Sequence, residues 1–490
     1  MTRANAELSP TNPQVVASWL FANEPPQLAD GESDDWHEYQ RLLADRRTAA
    51  VRNLLDTIGT KSLLDWSVSL PDQHAFGLSL AAATTESEDT DLANPMLSAV
   101  RADAREPPIV LLAYVAWRLA ERREGWLARW LAVAKTSAQP TAAMASLCCA
   151  LPFEPDTWRR AEALGSEVEH NYWRWAWGNP GQGATSEDLA HAVERLLAAG
   201  RPTVALQFII LRSPPVLPGE LLLRLGKALL QQLNAPEARV RSNLHWELER
   251  LFEHLDQAEG LPITDLAALE WSFLPFLVHG QRKPKALRSL LASDPSLFKE
   301  LICLIWKPDK EAAGQDVEDK SGTEEGQEGR ARMAYDLLDS WKGPLPGQAA
   351  SDLDFNGLEV WVSKARRLCR EAGRAGIADI KIGELLAYAP KDPSDGARPH
   401  EAVRRLLAIL HSKEIDEGFL TGIVNSRGVT TRGLRDGGKL ERVEVNRYKA
   451  WASTMRGSAP YTARLLSRVA DSYEADAKRQ DEMAKLNDLR

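Results

Sequence analysis

An all-α fold is expected: an irregular array of helical hairpins, a solenoid of the HEAT or tetratricopeptide (TPR) kind, followed by a smaller helical C-terminal domain. Three observations predict it. Apolar residues recur at spacings of three and four along most of the chain, stretches alternating with period two are nearly absent, and helix, short Gly or Pro turn, helix recurs as a local grammar. No strict period runs through the chain, which is why the array is irregular. At 490 residues the protein exceeds one ordinary core, and two to four packed units of roughly 100 to 200 residues each are expected. With 44% hydrophobic and 26% charged residues, the composition is that of a globular protein with a large core.

Residues 1–30, with Pro10 and Pro13 and no continuous apolar run, read as a flexible N-terminus without a secretory signal. A helical body is expected over 31–306. Its first helix runs from Asp35 to Ile58, with Trp36, Tyr39, Leu42, Leu43, Leu54 and Ile58 on one face and Gly59 as its stop. The acidic, Ser/Thr-rich stretch Thr84 to Asp91 reads as an exposed loop, and helices resume at Pro107 to Arg122 and Gly125 to Lys135. The stretch Thr185 to Leu233 is the clearest repeat-like unit: a helix from Thr185 or Ser186, Gly200 as stop, Arg201 to Leu211 as partner, then Pro218 to Leu233. Residues 307–330 hold eight acidic side chains and almost no large apolar one, which makes them an acidic linker or loop. A helical C-terminal domain over 331–480 follows, with helices at Ala331 to Trp341, Leu358 to Ala372, Ile380 to Ala387, Glu401 to Leu410, Glu441 to Thr454 and Pro460 to Lys478. Residues 481–490 form a charged tail.

Net charge is −9, against indiscriminate attachment to nucleic acid or anionic lipid, but one region inverts the balance. From Arg427 to Arg456 eight basic residues stand against Asp436, Glu441 and Glu444. The glycine-rich loop Asn425 to Gly438, with Arg427, Arg432 and Arg435, leads through Lys439 to a helix carrying Arg442, Arg447, Lys449 and Trp451. Freed backbone amides beside guanidinium groups suit an anion, and basic side chains interleaved with aromatics suit a single nucleic-acid strand. The alternative is a connector whose arginines pair with carboxylates elsewhere in this acidic chain. In His170 to Gly181, Tyr172, Trp173, Trp175 and Trp177 surround Arg174. As a strand, this segment would set three indoles on one face as a partner-binding wall; the alternative is a hydrophobic joint between helices.

Catalytic signals are sparse. His245 and Glu249 share a helical face with no HExxH, and His254 follows, so solvent-facing polar side chains are expected there rather than a metal site. Asp379, Lys381 and Glu384 spell the DxK of a nuclease metal site, but on a helical pattern where that chemistry normally uses strands. There is no GxxxxGK[ST], GxGxxG or GxSxG. Neither enzymatic turnover, nor a metal, nor a cofactor is expected. Four cysteines, Cys148 and Cys149 adjacent and Cys303 and Cys369 isolated, make neither a disulfide framework nor metal knuckles, which fits a reducing cytoplasm. Ile109 to Trp117 is half the roughly 20 residues of a membrane span.

One resemblance covers Asp294 to about Lys478. Ile382, Gly383 and Glu384 with Ala387 to Pro390, Gly418 and Phe419, Asn425 to Thr431, Gly437 and Gly438 with Glu441 and Arg442, Tyr448, Trp451, and Thr462 through Glu474 resemble the tail of large bacterial proteins encoded near mobile or phage-defence genes. The resemblance implies a bacterial, cytoplasmic accessory or sensor-like module beside a separate ATPase, nuclease or protease of the same operon. Unlike those larger relatives, this chain carries no enzymatic motif in its N-terminal part. The expectation is therefore a non-enzymatic interaction scaffold with a protein partner; the alternative is a nucleic-acid-binding protein using 427–456.

Overall fold

In a computed structural model, the described residues are 12–24, 35–121, 125–178, 184–210, 217–235, 243–277, 280, 282–309, 324–349, 352–428, 431–433 and 436–488. The chain is an all-α helical array in which consecutive helices pack on one another. Among the described residues the one sheet is a hairpin of two-residue strands, Gln348–Ala349 and Asp352–Leu353, antiparallel. Contacts divide the chain into two compact units, Met1–Ala238 and Arg239–Arg490.

In the first unit, part of the N-terminus expected to be flexible is folded: Pro13–Ser18 is a helix capped by Asn12, and it leads into a buried Leu20 and Phe21. Phe21 meets Phe76 edge-on at 5.5 Å, and Pro13 stands at the first helical position, where its fixed φ favours the helix. The remainder of that segment, 1–11 and 25–30, lies outside the described residues. Gly59, at φ +76° and ψ 166°, breaks the helical path within Trp36–Ser67 as expected, and a second helical stretch follows directly and buries Leu63.

The acidic loop expected at 84–91 is instead the start of the helix Glu86–Ser98. Thr85 and Glu88 form a capping box, and Glu86, Glu88 and Asp89 complement the positive end of the helix dipole. The decisive residue is Asp89, which is buried and accepts from Tyr114 Oη (2.5 Å), Trp126 Nε1 (2.8 Å) and the Arg118 guanidinium (2.9 Å). Arg118 also donates to the Thr84 carbonyl at 2.6 Å. Composition marked this stretch as solvated, whereas the charge that enters the core brings its own counter-ion.

The Trp-rich segment is the helix Ser166–Trp175, not a strand. Tyr172, Trp173 and Trp175 are buried, Trp173 lying 5.7 Å from Trp158 and 5.9 Å from Phe153. They join the helices Pro155–Ala163 and Ser166–Trp175, so burial removes them as a partner-binding wall. Trp177 lies beyond the helix end and is 77% exposed. The expected hairpins follow as Ser186–Ala198, Pro202–Ile210 and Gly219–Leu233, with Gly200 at φ +70° in the first turn.

The second unit contains helices from both sides of the acidic stretch 307–330. One hydrophobic cluster runs from Ala267 to Tyr473. Within it, Trp361 donates to the Leu291 carbonyl at 3.0 Å and packs edge-on against Phe298 at 5.3 Å. The compact division therefore falls near residue 238, not in 307–330, because apolar side chains of Lys285–Ser293 and Pro295–Ile305 are shared with Phe355–Glu371. Residues 310–323 lie outside the described residues, and 324–330 open the helix Glu324–Ser340. The charged tail at 481 continues the helix Pro460–Asp488.

Candidate anion-recognition pocket

Two helices, Ala375–Leu386 and Lys413–Ser426, cross with their backbones almost touching. Gly383, Gly418 and Gly422 allow it: a Cβ on Gly418 would sit 2.0 Å from the Ile380 carbonyl oxygen, and one on Gly383 2.2 Å from that of Ile415. This crossing sets Phe419 and Ile423 into the floor of a cavity of about 380 Å³, completed by Leu466 from Pro460–Asp488.

The helix Lys439–Met455 supplies one wall. Its buried stripe is Glu441, Glu444, Val445, Tyr448, Ala452 and Met455, at helical spacing. Tyr448 stacks on Tyr473 at 5.9 Å and meets Trp451 edge-on at 5.4 Å; Tyr448 and the half-buried Trp451 both line the cavity. Burial, with Tyr473 and Glu444 nearby, pushes the Tyr448 hydroxyl up to about 12. Among the described residues, the cations around the cavity are Lys391, Arg398, Arg427 and Arg447, against one carboxylate, Glu444. Arg447 donates twice to Glu444, at 2.9 and 2.7 Å. Lys391 and Arg398 are exposed and have no ion-pair partner among the described residues.

The sequence-predicted basic residues divide into two groups. Arg427 and Arg432 turn inward onto the buried Glu441, at 3.0 and 2.8 Å, and Arg427 also lies over the Tyr473 ring. Burial alone would raise the Glu441 carboxyl, but hydrogen bonds from Arg432 and Arg427 outweigh it and hold it below the usual range. This is the internal pairing that stood as the alternative for these arginines. Arg442 pairs with Asp481, which Arg442 and the Gly438 N–H hold at about 2. Lys439 lies 3.9 Å from Asp436; Lys449 is exposed; Arg435 lies outside the described residues. Lys391 and Arg398 escaped sequence analysis because they sit in a loop between helices, 30 to 60 residues before the basic region that tertiary packing places them beside.

The nuclease-like residues are tied up locally. Asp379 accepts twice from Arg366, at 2.8 and 2.7 Å, and once from Ser412 Oγ at 2.9 Å, while Lys381 pairs with Glu384 at 2.7 Å. All three lie on the helix Ala375–Leu386. His245 and Glu249 are 3.9 Å apart on Leu244–Gln257. Among the described residues no group of three or more His, Cys, Asp or Glu is placed to hold a metal ion. No helix of the described residues is long and apolar enough to cross a membrane.

Fold and site together define a two-unit helical-array protein with a cationic, aromatic-walled pocket in its C-terminal unit. No protein-family model, no curated protein and no solved structure matches the chain.

Proposed function

We propose that this protein is a non-enzymatic helical interaction scaffold, a sensor-like accessory whose work is to hold a protein partner. The observation that carries this reading is the use made of its buried carboxylates: Asp89, Glu270, Asp379 and Glu441 each accept from an arginine, so their charge maintains the fold. With the buried charge committed to the fold, what a helical array offers for recognition is its extended outer surface. Trp177 is an exposed indole of the kind that anchors interfaces. The resemblance of residues 294–478 supports a bacterial, cytoplasmic setting in antiviral defence, beside an ATPase, nuclease or protease of the same operon. Affinity capture from the host, followed by rebinding of the purified pair, tests it. Trp177→Ala is expected to weaken that pair about tenfold or more, the usual cost of a Trp anchor. Turnover of a substrate by the chain alone would refute the scaffold.

A specific observation favours nucleic acid as the second reading. Lys439, Arg442, Asn446, Lys449, Ser453 and Arg456 fall on one exposed stripe of the helix at alternating spacings of three and four, while its two acids, Glu441 and Glu444, are buried. The stripe is about 25 Å long at 1.5 Å per residue and offers phosphate contacts in a row. Changing Lys439, Arg442 and Lys449 to Ala is expected to flatten the log–log salt dependence of single-strand binding by about 2, at roughly 0.7 per phosphate contact. An unchanged slope would remove this reading.

A further inference from the structure

We propose that the cavity beside Trp451 is a binding site for a nucleoside monophosphate. This goes beyond the scaffold reading and does not depend on it. Among the described residues four cations line it against one carboxylate, in a chain of net charge −9; with Arg427 committed to Glu441 and Arg447 to Glu444, the remaining surplus marks a place for negative charge. Two of the four, Lys391 and Arg398, carry charge that no described residue neutralises. A phosphate of about −2 matches that pair better than the single charge of a carboxylate.

Inorganic phosphate alone would leave the rest of the cavity unmatched. The floor of Phe419, Ile423 and Leu466 is apolar, and Trp451 is steadied edge-on by Tyr448, itself backed by Tyr473. These surfaces suit a planar ring, which binds by stacking on an aromatic side chain. Glu444 is oriented by its two bonds from Arg447 and, among the described residues, is the one acceptor of full charge in the lining, placed to receive an exocyclic amine or a ribose hydroxyl. At about 380 Å³ the cavity lies near the lower end of the roughly 300 to 1,000 Å³ of small-molecule sites. One base with one phosphate is the appropriate size.

The test is calorimetric titration of the full chain with AMP, GMP, CMP and UMP, with inorganic phosphate and the four nucleosides in parallel. At least one monophosphate is expected to bind saturably, and more tightly than both its nucleoside and inorganic phosphate. Lys391→Ala with Arg398→Ala is expected to weaken it about tenfold or more, as for a lost charge-assisted hydrogen bond, at an unchanged melting temperature. Trp451→Leu, which keeps an apolar residue in the wall, should weaken the nucleotide and leave weak phosphate binding as it was. Changing Lys439, Arg442 and Lys449 to Ala should leave the nucleotide affinity unchanged, which separates this site from the single-strand reading. The proposal is overturned by no saturable binding of any monophosphate up to millimolar concentration, by equal affinity for inorganic phosphate, or by affinity untouched in the Lys391/Arg398 variant. A 5′-phosphorylated oligonucleotide identifies the source of the phosphate: binding of the oligonucleotide alone, with free monophosphates inert, also overturns it.

Discussion

Gly418→Val should destabilise the C-terminal unit by about 3 kcal/mol or more, the upper range for overpacking a tight interior. The clash is with backbone. Any Cβ at 418 meets the Ile380 carbonyl oxygen at 2.0 Å and its carbon at 2.8 Å, and neither atom can rotate away. Even Gly418→Ala should destabilise, because the better helix propensity of Ala returns only about 1 kcal/mol while the two helices must separate. Gly376 is the control. It lies at the start of the same helix pair with open space around its would-be Cβ, so Gly376→Ala should be neutral or stabilising. Denaturant unfolding followed by hydrogen exchange in 375–426 distinguishes the two. Similar behaviour of Gly418→Ala and Gly376→Ala would mean that the crossing is not close-packed.

Asp89→Ala should cost the N-terminal unit about 3 to 5 kcal/mol, the usual result of removing one partner from a buried ion pair. It leaves Arg118, 2% exposed, without its counter-ion, and deprives the Tyr114 hydroxyl and the Trp126 indole N–H of their shared acceptor. Replacing both partners, Asp89→Leu with Arg118→Met, should cost less than the single change, since no uncompensated charge then stays inside. Glu86→Ala provides the contrast in the same helix. Its pair with Arg129 is more than half exposed on both sides, where loss costs under about 1 kcal/mol. Thermal unfolding of the N-terminal unit reads these effects, and a loss of less than about 1 kcal/mol for Asp89→Ala would show that the network is not what holds these helices.

The helices were legible in the sequence because their signals are local. Thr185, Gly200 and the apolar spacing of 185–210 declare two helices and a turn from one short window, and the helical pattern at Ile380 is the helix Ala375–Leu386. Signals that depend on distant partners were not legible. The acidic run at 84–91 looked solvated because the counter-ion of Asp89 comes from Arg118, on a helix 20 residues further on. Alternating indoles at 173, 175 and 177 imitated a strand, although Phe153 and Trp158 bury the first of them on a helix. At the pocket, the sequence marked the helix Lys439–Met455 as basic but not which cations face inward. Arg427 and Arg432 belong to Glu441, and the free charges of the pocket, Lys391 and Arg398, come from a loop that only tertiary packing delivers.

The division of labour between inward and outward cations of the C-terminal unit is tested most directly by calorimetric melting of two double variants, each with and without the bound monophosphate. Arg427→Ala with Arg432→Ala should melt well below the unsubstituted chain even without ligand, because it strands a buried Glu441. Lys391→Ala with Arg398→Ala should melt where the unsubstituted chain does and lose the upward shift that ligand produces. If the first pair melts normally while the second unfolds early, the inward arginines are not structural and the outward cations are not the recognition surface.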